Sequence, residues 1–330
     1  MRNMSKDSLA LRLDGVTKRF GENTAVDSFD FEVPRGVICG LLGPNGSGKT
    51  TSIRMIMGIL GPDEGSVSLF GEDPDVVRRT KVGYLPEERG VYKKMKCLEL
   101  ITFLGEIRGL RRGEARRRGG DWLDRMGLTE WVEKKVEDLS KGMQQKIQFI
   151  GTVIHEPELL ILDEPFSGLD PINQDVLEEI VREYHEQGTT IVFSTHLMDQ
   201  AERLCERVCL ISKSKKVLDG DLKEIKAAER QGVVAVEFEG PDTWIQGPEI
   251  DRVERKEGSL RLILKDGQDH QQILNRAVAS GARVVRFELI EPRLHEIFVR
   301  HAGEGLAGDI GMADRPRSAS SNGIRHFGTV

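Results

Sequence analysis

The segment Gly43-Pro44-Asn45-Gly46-Ser47-Gly48-Lys49-Thr50 constrains the fold more than any other part of the chain. Its glycines let successive backbone N–H groups converge on one point, where side chains would obstruct them. A loop of this pattern cradles phosphate oxygens at the positive end of the helix that follows it. Lys49 supplies a point charge for the β- and γ-phosphates, and Thr50, followed by Thr51, a hydroxyl for Mg²⁺. The geometry requires a strand before the loop and a helix after it. Residues 37–42 form a short apolar run, and residues 50–60 place Ile53, Ile56, Met57 and Leu60 on one helical face. No third glycine follows at the spacing a dinucleotide fold needs.

A second segment carries complementary chemistry. Leu159-Leu160-Ile161-Leu162 reads as a buried strand that ends in Asp163-Glu164. A carboxylate at such a strand end can hold magnesium or its water, the role expected of Asp163. Glu164 is expected to point elsewhere on the pleat, free to orient and deprotonate a water. Taken alone, the two acids read equally well as a surface loop opening.

The remaining chain alternates strand and helix patterns, which implies an α/β sheet with parallel strands. Strands are expected at 9–13, 28–33 and 189–194, helices at 174–187 and 197–206, and a mainly helical stretch over 98–154. After residue 220 the character changes: strands at 233–238, 259–264 and 283–289, a helix at 270–279 and a short one at 294–299 suffice for a small α+β domain. From 302 onward small and polar residues dominate, and a disordered tail is expected. The basic cluster 108–118 reads as a solvated helix face and loop, with contact to anionic lipid or an acidic partner as the alternative.

Bulk properties narrow the class. Forty-eight basic residues against 54 acidic give a net charge of −6, which argues against a general nucleic-acid binder. Cys39, Cys97, Cys205 and Cys209 match no zinc spacing and read as buried thiols in a reducing compartment. No apolar signal core and no run of about 20 apolar residues is present, so a soluble chain is expected, with any membrane role supplied by a partner.

Four further features, in order, resemble the ABC ATPase family. Leu139-Ser140-Lys141-Gly142-Met143-Gln144-Gln145 is similar to its signature segment, and Ser167-Gly168-Leu169-Asp170 to its D-loop. Ser194-Thr195-His196 closes a strand as the family's switch histidine does, and Phe20 lies 29 positions (49 − 20) before Lys49, as its adenine-stacking aromatic does. The resemblance implies a P-loop NTPase fold of the ABC ATPase type over residues 8–220, with a helical subdomain at about 88–155. A small α+β accessory domain at 221–301 and the tail 302–330 would follow.

By the same resemblance, two subunits sandwich two MgATP molecules, as a homodimer or heterodimer. Ser140 and Gly142 of one subunit touch the γ-phosphate on the other's P-loop, residues Gly43, Pro44, Asn45, Gly46, Ser47, Gly48, Lys49, Thr50 and Thr51, with Asp170 at the interface. Glu164 activates water, His196 holds the γ-phosphate, and Thr50 and Asp163 serve the magnesium. The chain departs from the family at Lys141 and Met143, where glycine and glutamine are usual, and at Glu87, where glutamine usually contacts magnesium or water and the carboxylate is expected to approach magnesium in its place. Residues 87–96 are the resemblance-based contact for a membrane partner. The segments 86–89, 141–146 and 291–298 resemble the branch that serves separate ABC-2 type permeases, including sodium-extrusion-like exporters. That places the chain in the cytoplasm, peripheral on the inner face of the membrane, with no nucleic acid expected. A non-transport ABC ATPase acting on ribosomes or DNA is the alternative.

Overall fold

The computed structural model describes residues 8–302 apart from 73, 79, 89, 91, 231, 257, 258 and 266. The polar segment 1–7, and the expected tail beyond 302, lie outside the described residues. The chain opens with β1 (Leu9–Phe20), β2 (Asn23–Pro34) and β3 (Ile38–Leu42), then α1 (Lys49–Ile56), β4 (Glu64–Leu69), the short α2 (Pro74–Val77) and β5 (Val82–Leu85). Three helices follow: α3 (Cys97–Ile107), α4 (Arg112–Arg125) and α5 (Lys141–Val153). The chain then alternates β6 (Leu159–Asp163), α6 (Pro171–Glu186), β7 (Thr190–Thr195), α7 (Met198–Leu204), β8 (Arg207–Ser212), β9 (Lys215–Asp221) and α8 (Leu222–Ala228).

A six-stranded sheet in the order β5-β6-β7-β3-β8-β9 forms the centre. Its strands are parallel except β9, which runs antiparallel to β8. Alternate residues feed different cores: Leu160, Leu162, Ile191, Phe193, Val208 and Leu210 face the helical side, while Leu159, Ile161, Val192, Cys209 and Ile211 face α1 and the antiparallel sheet β2-β1-β4. Burial on both faces explains why these strands read as unbroken apolar runs. Burying a side chain of this size contributes roughly 1.5–3 kcal/mol.

The helices α3 and α4 are held by close approach. A Cβ on Gly119 would sit 2.9 Å from the Ile101 side chain, and one on Gly105 2.9 Å from the Ala115 Cβ, so α3 and α4 cross at short range. The basic cluster is only partly solvated. Arg108 donates to the carbonyls of Arg78 and Val82, and Arg118 to that of Ile154, so these two pin the helices while Arg111, Arg112, Arg116 and Arg117 stay exposed. All four cysteines are buried and free. Burial pushes their thiols up, that of Cys97 to about 11.

Residues 233–290 make a separate antiparallel sheet, β11-β12-β10-β13, from β10 (Val233–Glu239), β11 (Ile250–Lys256), β12 (Ser259–Leu264) and β13 (Arg283–Ile290). The helix α9 (His270–Ala279) packs on one face, closing a third core around Trp244, Leu262 and Ile273. The chain then returns: α10 (Leu294–Ala302) packs against α7 and β9, inside the first core.

Several boundaries differ from expectation. β1 continues to Phe20 because register shifts between Leu13 and Arg19, with Gly15 at positive φ, break its alternation without ending the strand. α1 stops at Ile56, where Gly58 takes φ 67°. β4, β5, β8, β9 and β11 carry no clear alternating signal.

Candidate functional site

The site forms where parallel strands of the central sheet end, the edge at which open α/β sheets bind ligands. The loop 43–48 leaves β3 and enters α1 through Gly48, whose φ of 112° suits glycine alone. A Cβ there would lie 2.5 Å from the Ala25 carbonyl oxygen, and one on Gly43 2.1 Å from that of Ile211. The backbone therefore lies against its neighbours where any side chain would force it off. Lys49 Nζ donates to the Gly43 and Pro44 carbonyls at 2.8 and 3.1 Å, so the ammonium is held inside the loop it serves.

The acids converge on the same point. Asp163 is buried, and its Oδ1 accepts from the Ser194 hydroxyl and from the Thr50 hydroxyl at 3.4 Å. The parallel register pairs Asp163 with Ser194, which brings that hydroxyl into place. Glu164 leaves the strand with φ 48°, and its backbone N–H donates to Ser194 Oγ at 3.0 Å. A left-handed turn, then, and not strand alternation, aims Glu164. Its Oε1 lies 3.0 Å from His196 Nδ1 and 3.9 Å from Lys49 Nζ.

Burial lowers the pKa of Lys49 and raises that of Asp163. The neighbouring carboxylates Glu164, Asp163 and Glu87 oppose the first shift. The hydrogen bonds from Ser194 and Thr50 oppose the second. Asp163 Oδ2 and Ser47 Oγ are buried without a hydrogen-bond partner. A hard cation takes oxygen ligands, so the Asp163 carboxylate beside the Thr50 hydroxyl fits magnesium.

A cavity of about 310 Å³ opens onto this cluster, lined in part by Asn45, Gly46, Gly48, Lys49, Thr50, Thr51, Glu87 and Glu164. Asn23, Ala25 and Ser214 also line it. Sequence reasoning missed these three and Ser194: the first three come from distant strands and turns, and Ser194 carried a signal only in its position two residues before His196. Phe20 is not among the lining residues. It stands half-exposed at the end of β1, paired across the turn with Asn23, which is.

Ser140, Gly142 and Asp170 are not brought to this cavity. Ser140 caps α5, accepting from the Met143 N–H at 3.3 Å, and Asp170 caps α6, accepting from that of Asn173 at 3.1 Å. The α5 helix is nonetheless tied to the site from behind. Gln145 donates to the Pro165 carbonyl, Gln148 to that of Glu88 at 3.3 Å, and Thr152 to that of Tyr84 at 3.2 Å.

Comparison with known proteins adds a second line. Residues 26–167 match the family described as ABC transporter, and residues 220–302 match the C-terminal domain of ATP-binding protein DrrA1-3-like. An uncharacterized ABC transporter ATP-binding protein of Bacillus subtilis (strain 168), YhaQ, is 44% identical over 295 residues, 89% of this chain and 98% of that one. The Nod factor export ATP-binding protein I of Paraburkholderia xenovorans (strain LB400) is 33% identical over 305 residues, 90% of this chain and 98% of that one. A solved ATP binding subunit of an ABC transporter has a TM-score of 0.62 at 30% identity, covering 66% of this chain and 92% of its own. Likeness of this extent, over a loop that holds its lysine inward and two strand ends that gather two acids and a histidine, means that the chain belongs to the ABC transporter ATP-binding proteins, the family that hydrolyses ATP to power transport.

Proposed function

We propose that this chain is the motor subunit of an ABC-2 type exporter, binding MgATP on Gly43–Thr50 and passing the energy of hydrolysis to a separate permease. The observation that carries the catalytic part is the position of Glu164 Oε1, within reach of both His196 and Lys49 on a side chain that lines the cavity. In this reading Glu164 accepts a proton from water as the water oxygen bonds to the γ-phosphorus and the bond to the ADP oxygen breaks. His196 fixes the carboxylate and reaches the γ-phosphate, and Lys49 neutralises charge on the transferring group. Thr50 and Asp163 would hold the magnesium, with Glu87 lining the same cavity. When bound, magnesium neutralises charge on the phosphate oxygens. Phe20 would stack on the adenine.

Ser140, Gly142 and Asp170 lie away from the chain's own cavity, at the starts of α5 and α6, a placement that suits service to a second subunit's nucleotide. For the permease, the exposed side chains of Tyr92, Phe103 and Ile107 offer an apolar surface beside the 87–96 segment. Export follows from the naming of the Nod factor relative and from the C-terminal match. A cytoplasmic position on the membrane's inner face goes with that reading: among the described residues no helix is long and apolar enough to cross a membrane. The ribosome- or DNA-acting alternative draws no support from relatives named as transporter subunits.

Replacing Glu164 by glutamine tests the catalytic assignment. Glu164→Gln is expected to bind ATP normally, lower turnover by about 100-fold or more, and accumulate an ATP-dependent dimer on size-exclusion chromatography. Near-normal turnover would remove Glu164 from the role of base.

A further inference from the structure

The C-terminal segment does more than add a third sheet. Its last helix, α10, buries Leu294, Ile297 and Phe298 at 1%, 0% and 0% exposure, in the same core as Met198, Ala201 and Leu204 of α7 and Leu222 and Ile225 of α8. Polar contacts fix the same seam. The Glu202 carboxylate on α7 accepts from the Leu294 backbone N–H at 3.4 Å and from Lys226 Nζ on α8. Lys226 and Arg230 also pair with Glu291, and Arg300 and His301 with Glu229. Thus α7 is held along one seam by two segments that belong, by the family match, to the C-terminal domain.

The other end of α7 is the chemical end. Met198 opens the helix two residues after His196, and the intervening Leu197 N–H donates to Thr195 Oγ1 at 3.0 Å. No loop separates the histidine from the helix, so a shift or tilt of α7 moves the His196 backbone with it. His196 in turn meets Glu164 at 3.0 Å. A hydrogen bond at this length tolerates little displacement, and a misplacement of about 1 Å can cost on the order of 100-fold in rate.

We propose that Phe298 and Glu202 are positioning residues for ATP hydrolysis, holding α7 so that His196 stays aligned with Glu164; the C-terminal domain thereby sets the hydrolysis rate. This rests on the catalytic reading of Glu164 and His196 given above. Neither residue lines the phosphate-loop cavity. Both act through a helix whose far end carries the histidine.

The test uses the full-length chain, with ATP turnover and equilibrium ATP binding measured side by side. Phe298→Ala is expected to lower kcat about tenfold while KM and ATP affinity stay within about twofold, and Phe298→Leu to restore most of the rate. Glu202→Gln, which opens no cavity, is expected to lower kcat about threefold with the same split. Ile273→Ala, in the core of the separate sheet, is the control and is expected to leave kcat unchanged. The proposal fails if Phe298→Ala folds and retains wild-type kcat, if ATP affinity falls together with kcat, or if Ile273→Ala slows turnover equally. Should Phe298→Ala not fold, Glu202→Gln decides alone: unchanged kcat overturns the proposal. Glu164→Gln and His196→Ala run in the same assay distinguish this failure from failure of the catalytic reading, since both must lose turnover whatever α10 does.

Discussion

The six-stranded sheet and the four-stranded sheet are both built on apolar cores, yet they treat polar residues differently. At the ends of the central strands, Asp163, Ser194 and Thr195 are buried together with Lys49 at the start of α1. In the small sheet with its helix, among the described residues, Glu249 is the one buried charged side chain, and it pairs with Arg276 on α9. Topology accounts for the contrast. Parallel strands end on the same edge, so β3, β6 and β7 deliver their last residues to one place. Antiparallel neighbours end on opposite edges, so the small sheet gathers no such cluster and its charged pair serves packing.

That contrast is open to attack at three points, in descending order of expected effect. Gly48→Ala puts a Cβ 2.5 Å from the Ala25 carbonyl at a φ of 112°. It is expected to cost about 1–3 kcal/mol of stability and to weaken ATP binding severely, measured by thermal unfolding and nucleotide titration. A variant with wild-type affinity would show that the phosphate loop tolerates what the geometry forbids. Glu249→Gln is expected to cost about 1–3 kcal/mol, less than a fully buried pair because Arg276 is partly exposed. Hydrogen exchange should speed up in the small sheet and α9 alone, with ATP turnover within about twofold; a large loss of turnover would erase the distinction between the two sheets.

The smallest effect is a pH dependence. Burial pushes the Glu249 carboxyl up, but the hydrogen bond from Arg276, a backbone hydrogen bond and the charges of Arg276 and Lys265 together outweigh this and hold it below the usual value of 4.5. A depressed carboxylate pKa gives stability that is fully present above pH 4.5 and lost as pH falls through the lower folded value. Protection of the small sheet should therefore fall in that acid range, and Glu249→Gln should flatten the fall.

Legibility in the sequence followed locality. Gly43–Thr50 and Asp163-Glu164 could be read because each puts its chemistry within a few residues of a strand end. Glu164's left-handed backbone was not legible, since no residue type there announces positive φ. Ser194, Asn23 and Ser214 join the site through strand register and turns far apart in the chain. The highly charged β11 and the bulged half of β1 lack the alternation that marks a strand. The inward role of Arg108 and Arg118 was hidden because an arginine that caps a buried carbonyl looks the same in sequence as one in water.

The burial of Cys39, Cys97, Cys205 and Cys209 has a practical consequence. With all four native thiols shut inside and protonated, the folded chain presents almost no reactive background to maleimides. A single cysteine placed on α7 or α10 would then carry a spin label or fluorophore without removing any native residue from the cores. The chain is in effect already the cysteine-free scaffold that such distance measurements require, and the motion of one helix against the other can be followed in the otherwise native sequence.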